Sequence, residues 1–236
     1  MRLSERLRMV ASMVHRCDTV ADIGCDHAYL SVWLLREGIA GKALACDVRP
    51  GPLAKAEETI AFFHMQERVR TILCDGLAGV RPGEAQVIVM AGMGGLLMTS
   101  LLADGAAVVA GAERLVLQPQ SDPELVRRQV YAAGFRIEEE QCTFEDGKYY
   151  VAFAAVKDNA PEKREKPYEP WEYRYGRCLT AAKNEIYLAW LTAECEKKTA
   201  MVRNLLAADT PLAAERLPGA AEELAELAGV IRRMVD

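Results

Sequence analysis

The stretch Val20-Ala21-Asp22-Ile23-Gly24-Cys25-Asp26-His27-Ala28-Tyr29-Leu30 constrains the fold more than any other part of the chain. It reads as a short buried strand ending in an acid, then a turn at Gly24, then the start of a helix. The apolar run stops at Ile23, and glycine supplies the backbone freedom of a tight turn. A helix starting just past such a turn points its free N–H groups over the strand end, where anionic or polar cofactor groups bind. A second strand closed by an acid, Cys46-Asp47-Val48, follows about 25 residues on, near the spacing at which an acid grips ribose hydroxyls. The two strand ends point to a nucleoside-type cofactor held across the first strands of a parallel sheet.

A dinucleotide site needs Gly-x-Gly-x-x-Gly, because a pyrophosphate must approach the backbone closely. Here only Gly24 is present, and Asp26 and Ala28 hold the later positions. An acid at Asp26 would repel a pyrophosphate. S-adenosyl-L-methionine suits the pattern better, because its sulfonium and ammonium groups are positive and Asp22 and Asp26 would attract them. The turn by itself is also compatible with a plain strand–turn–helix that binds nothing.

Leu3, Leu7, Val10 and Val14 recur at helical spacing, so residues 3 to 14 are expected to form an amphipathic helix. Its other face carries Arg2, Arg6 and Arg8, a solvated face or an RNA phosphate contact. Strands are expected at 19–23, 43–47, 69–74, 87–91 and 115–117, alternating with helices at 28–38, 50–65, 96–102 and 123–133. Gly38 serves as a C-cap, Pro50 and Pro52 open the second of these helices, and Ser121-Asp122-Pro123-Glu124 starts the fourth. Residues 135–142 and 149–156 read as two strands joined by the turn Glu145-Asp146-Gly147-Lys148. Five β/α units followed by a hairpin predict an α/β fold of the class I, Rossmann-like methyltransferase type.

Composition changes near residue 157. A charged, proline-bearing linker at 158–170 divides an N-terminal domain, 1–157, from a helical hairpin, 171–236. One long helix is expected over 171–207 and a last one over 220–235, with Pro211 and Pro218-Gly219 breaking the pattern between them. The net charge of −5 argues against a uniformly basic nucleic-acid binder but leaves room for a local basic face. The seven cysteines are scattered without metal-ligand spacing, which suggests reduced thiols and a cytoplasmic protein. No signal-peptide core, membrane span or metal site is expected.

Four strand ends converge on one sheet edge: Asp22-Ile23-Gly24, Asp47-Val48, Asp75-Gly76 and Ala91-Gly92. Ligands of doubly wound sheets sit at the carboxyl ends of the strands. Asp22, Ile23, Gly24, Asp47, Val48, Asp75, Gly76, Ala91 and Gly92 are therefore the candidates for holding the cofactor. Asp47 would take both ribose hydroxyls and Asp75 the adenine amino group, although a lone acid at a strand end is often only a helix cap. The loop Gly92-Met93-Gly94-Gly95 lets backbone approach a flat ring, or else is a flexible strand-to-helix turn.

Taken together, Leu3-Ser4-Glu5-Arg6-Leu7, the stretch from Ala21 to Leu30, Ala91-Gly92-Met93-Gly94-Gly95 and Leu117-Gln118-Pro119 resemble the bacterial tRNA (adenine-22-N1)-methyltransferase family, TrmK. Cys25 and Ser31 stand where the family pattern has serine and proline. The resemblance implies methyl transfer to N1 of adenine 22 in the tRNA D-arm. Asp26 would then stabilise the cationic adenine, with His27 as a hydrogen-bond partner or proton acceptor, unless His27 caps the helix. Tyr29 would stack on the base or belong to the core. Met93, Gly94, Gly95, Gln118, Pro119, Arg6 and Arg16 are the candidates for holding substrate. Further phosphate contacts would come from Arg2, Arg8, Lys163, Arg164, Lys166, Arg174 and Arg177. Trp171, Tyr173 and Tyr175 offer stacking surfaces or packing. A monomer is expected, with a dimer as the alternative. The rival readings are a methyltransferase acting on another RNA, a protein or a small molecule, a noncatalytic RNA-binding module, and a nicotinamide oxidoreductase.

Overall fold

A computed structural model of the chain describes residues 1–158, 168–208 and 210–236. The chain divides into two units, Met1–Pro167 and Tyr168–Asp236. The expected contacts Lys163, Arg164 and Lys166, and most of the expected linker, lie outside the described residues.

In the first unit the alternation of apolar runs and helical periodicity becomes a seven-stranded sheet. The chain runs α1 (Glu5–Ser12), β1 (Cys17–Ile23), α2 (Tyr29–Arg36), β2 (Ala40–Asp47), α3 (Pro50–Phe62), β3 (Val69–Leu73) and β4 (Val87–Met93). It continues through α4 (Gly95–Asp104), α5 (Ala106–Gly111), β5 (Arg114–Pro119), α6 (Pro123–Ala132), β6 (Phe135–Glu145) and β7 (Lys148–Lys157). The strand order is β3-β2-β1-β4-β5-β7-β6. The first five strands are parallel, and β7 pairs antiparallel with both β5 and β6. Strand order reverses between β1 and β4, so the crevice at their carboxyl ends is the switch point where α/β sheets bind ligands.

The central stretches of β1, β2, β4 and β5 are buried and mostly apolar, as expected where helices cover both faces of a parallel sheet, whereas the edge strand β3 buries only Val69. Val20, Ala43, Ala45, Val87, Val89 and Val116 are buried in one cluster with Val10, Leu30 and Leu34 from the helices and Leu3 just before α1. Arg127 on α6 and Glu140 on β6 form a buried ion pair, 2.7 Å apart and both about 1% exposed. Glu145 grips the start of α1, its carboxylate accepting the N–H groups of Glu5 (2.7 Å) and Arg6 (3.1 Å). The short helix α5 is an addition to the sequence-based expectation.

The second unit departs from expectation in two places. The expected single helix over 171–207 is three: α7 (Pro170–Tyr175), α8 (Arg177–Ala181) and α9 (Glu185–Ala207). Gly176 takes φ +86 and Lys183 φ +50, both outside the helical region. Asn184 then restarts the helix, its side chain accepting the Tyr187 N–H at 2.8 Å. Conversely, α10 (Pro211–Val235) runs through Pro218, where a break was expected. Thr210 caps it and Pro211 fits the first turn. Proline at 218 removes the partner of the Ala214 carbonyl, but both residues are exposed, so water can serve that carbonyl.

Candidate active site

The carboxyl ends of β1 to β4 open into one pocket of about 500 Å³, within the size range of small-molecule sites. Asp22, Ile23, Gly24, Asp47, Val48, Asp75, Gly76, Ala91 and Gly92 all line it. So do Asp26, His27, Tyr29, Met93 and Arg6.

Gly24 adopts φ +73, and a side chain there would collide with the Met93 thioether methyl. The N–H groups of Gly24 and Cys25 both donate to the Cys46 carbonyl, at 2.8 and 2.9 Å, locking the turn onto β2. Asp22 is only 4% exposed. Its carboxylate accepts the Ser31 hydroxyl at 2.7 Å. Burial pushes the Asp22 carboxyl up to about 6, against the Ser31 hydroxyl and N–H, which favour the charged form. The charge of Asp47 adds to the rise.

Asp47 is buried at the end of β2. One of its oxygens accepts the Arg49 N–H at 2.9 Å and the other the Asp26 N–H at 3.3 Å. Each oxygen keeps a lone pair, so a bidentate grip on two hydroxyls is available. Asp75 is exposed at the pocket edge beyond β3. The Cys25 and Cys46 thiols also line the pocket, and burial pushes both well up, so they stay protonated.

On the β4 side the ladder with β5 shifts register between Ala91 and Met93. Gly92, at φ +80, is the extra residue. Its N–H leaves the ladder and donates to Oε1 of the fully buried Gln118 at 3.1 Å. The same oxygen accepts Arg6 Nη1 at 2.8 Å. The Arg6 guanidinium also lies 5.8 Å from the Tyr150 ring centroid. Three distant segments thereby fix one arginine at the pocket wall.

At the mouth, His27 Nε2 is 3.6 Å from an Asp26 oxygen, and the His27 and Tyr29 rings are 5.6 Å apart. Tyr29 is 45% exposed, which removes its reading as a core residue. The N-cap of α2 is Ala28, and no side chain caps that helix, which removes the capping reading of His27.

Other expected residues fall elsewhere. Gly94 and Gly95 do not line the pocket. Gly95 is a close-approach glycine, since a side chain there would strike the carbonyls of Ser121 and Asp122. Gln118 and Pro119 are buried behind the wall. Arg16 precedes β1 and lines a separate hollow with His15 and Arg114, at the opposite sheet edge. In the helical unit, Arg174 pairs with Glu226 and Arg177 with Glu172. Tyr173 and Tyr175 are buried, and Trp171 carries the Arg233 guanidinium. Arg49, Cys46, Cys74, Leu97 and Gln120 line the pocket without having been singled out. Arg49 and Gln120 directly follow expected site segments, and a strand-end rule extended by one or two residues would have found them.

Among the described residues, no group of three or more His, Cys, Asp or Glu side chains is arranged to hold a metal ion. No helix there is long and apolar enough to cross a membrane. Residues 3–153 match the family described as a methyltransferase domain.

The chain belongs to the methyltransferase-domain family.

This methyltransferase domain has relatives that span the whole chain. The tRNA (adenine(22)-N(1))-methyltransferase of Bacillus subtilis (strain 168) is 29% identical over 241 residues, covering 100% of this chain and 98% of that protein. The solved structure of the tRNA methyltransferase TrmK from B. subtilis matches with a TM-score of 0.82 and 29% identity, covering 98% of this chain and 99% of that one. Streptococcus pneumoniae Sp1610, solved in complex with S-adenosyl-L-methionine, matches with a TM-score of 0.85 and 27% identity, covering 98% of this chain and 100% of that one.

Proposed function

We propose that this methyltransferase domain uses S-adenosyl-L-methionine to methylate N1 of adenine 22 in tRNA, as a cytoplasmic enzyme of bacterial tRNA modification. The observation that carries the reading is the row of strand-end acids Asp22, Asp47 and Asp75 around a single-glycine turn, in the same pocket as the bulged Gly92. A pyrophosphate fits this acidic lining badly, and a sulfonium fits it well. The relatives named above support the choice of cofactor and substrate.

When bound, S-adenosyl-L-methionine supplies an electrophilic methyl group. Asp47 would accept the ribose hydroxyls, Asp75 the adenine amino group, and Asp22 the ammonium group. Adenine N1 is already nucleophilic, so the protein mainly aligns it for in-line attack. The product base is cationic. Asp26, at the pocket mouth, faces that growing charge and stabilises it. His27 beside it can accept a hydrogen bond from the exocyclic amine or take up its proton. Tyr29 offers an open ring face for stacking. N1 lies on the Watson–Crick edge, so the target must be unpaired or flipped out. Arg6 and the basic residues of the helical unit would meet phosphates.

Incubation with methyl-labelled cofactor and unmodified tRNA, followed by nucleoside mapping, tests the reading. The expected product is N1-methyladenosine at one position. Label in protein, in another nucleoside, or nowhere overturns it.

A further inference from the structure

Two glutamines flank Pro119 at the end of β5, and their amides have different freedom. Gln118 is engaged at both atoms of its amide: its Oε1 accepts from Arg6 and Gly92, and its Nε2 donates to the Pro119 carbonyl at 3.0 Å. Gln120 is anchored by its backbone, whose N–H donates to the Met93 carbonyl at 2.8 Å. Its side chain is exposed and lines the pocket. Among the described residues that amide has no hydrogen-bond partner. Its Nε2 lies 3.7 Å from the place a Cβ on Gly92 would occupy, and Arg6 Nη1 lies 3.2 Å from the same place. The missing Gly92 side chain thus leaves a slot walled by a committed cation and an uncommitted amide.

We infer that Gln120 is a specificity-determining residue that reads the target adenine, its Nε2 donating to N7 and its Oε1 accepting from the exocyclic amine. The inference rests on the proposed N1 methylation. With N1 turned toward the methyl group, the N6/N7 edge is the polar edge left for the protein. A glutamine amide presents a donor and an acceptor side by side, which matches that edge in a bidentate pair. Guanine offers acceptors at both N7 and O6, so the amide could satisfy only one. Arg6 has donors only and is already held by Gln118, so it cannot make the distinction. The placement agrees with the pocket: ribose and adenine of the cofactor at Asp47 and Asp75 take the β2–β3 end, leaving the β4–β5 end to the incoming base.

The test compares wild-type protein with Gln120→Ala and Gln120→Glu on two tRNAs, assembled with adenosine or 7-deazaadenosine at the methylated position. Loss of N7 should lower the wild-type kcat/KM about tenfold and leave that of Gln120→Ala unchanged. Gln120→Glu keeps the acceptor and loses the donor, so on ordinary tRNA it should behave like wild type on the deaza substrate. Filter-binding affinity for tRNA and calorimetric affinity for cofactor should be the same in all three proteins. An equal deaza penalty in wild type and Gln120→Ala, or none in wild type, overturns the inference while N1 methylation stands. Failure of wild type to form N1-methyladenosine on ordinary tRNA removes both.

Discussion

The Ser31 hydroxyl donates a 2.7 Å hydrogen bond to Oδ2 of Asp22, joining the first turn of α2 to the end of β1 beneath the cofactor pocket. The contact decides how a buried acid ionises. Burial raises the Asp22 carboxyl to about 6, and the Ser31 donors hold it from rising further. If the charged form meets the ammonium group, affinity for S-adenosyl-L-methionine should fall up to about tenfold per pH unit below about 6 and level off above 7. Ser31→Ala should move that midpoint upward. Calorimetry between pH 5 and 8 reads both effects, and a pH-independent affinity would take Asp22 out of the ammonium site.

The same group shapes the stability of the cofactor-free protein. Its folded value, about 6, lies above its ordinary 3.8, so between them the folded state holds a proton that the unfolded state has lost. This contribution is present at low pH and is lost as pH rises through that window, by on the order of 3 kcal/mol. Denaturant unfolding of wild type and Asp22→Asn at pH 4 and 7 should show that difference. A pH profile identical in the two proteins contradicts it.

Gly92→Ala should hurt twice. The backbone sits at φ +80, which costs an L-residue about 1–2 kcal/mol. The new methyl would also press on Arg6 Nη1 at 3.2 Å and disturb its bond to Gln118. A lower denaturation midpoint should accompany reduced turnover on tRNA, with cofactor affinity held within a few-fold because Asp47 and Asp75 are untouched. A variant as stable and active as wild type would show that the bulge relaxes freely.

The strand-end acids were legible because each closes an apolar run, and a parallel sheet sends all such ends to one edge. Asp22, Asp47 and Asp75 therefore converge in the pocket without any knowledge of contacts. The bulge at Gly92 was hidden, since it depends on a register shift against β5 and on Gln118 answering the stranded N–H. Gly95 likewise looked like part of a substrate loop, but the backbone it lets through belongs to residues 121–122, which no local pattern reveals. In the helical unit, Gly176 ended a helix that periodicity alone would continue. Pro218 failed to end one because its surroundings are exposed.

The buried cluster of the first unit draws all its residues from within that unit, and the family match ends at residue 153. A chain ended after Asp158 should therefore fold and bind cofactor within about threefold of the full protein. If basic side chains of the helical unit meet tRNA phosphates, as proposed, their removal should lower kcat/KM on tRNA by roughly a hundredfold at moderate salt. Undiminished tRNA turnover would show that the helical unit does not hold substrate.

Asp26 adopts φ +51, a left-handed conformation that asparagine tolerates, so Asp26→Asn changes charge without straining the backbone. Its N–H to Asp47 survives the change, so cofactor affinity should be kept. Its side chain is 67% exposed in the free protein, where water screens it. A base covering the mouth, stacked on Tyr29 as proposed, would exclude that water and strengthen the field on the forming cation. That stabilisation grows as the methyl group moves, so it appears in turnover rather than in binding. Single-turnover rates with saturating tRNA should drop about a hundredfold for Asp26→Asn. His27→Ala should lose less if the imidazole, 3.6 Å from the Asp26 carboxylate, only orients the base. A near-normal rate for Asp26→Asn would leave alignment by Gly92, Met93 and Tyr29 as the source of catalysis.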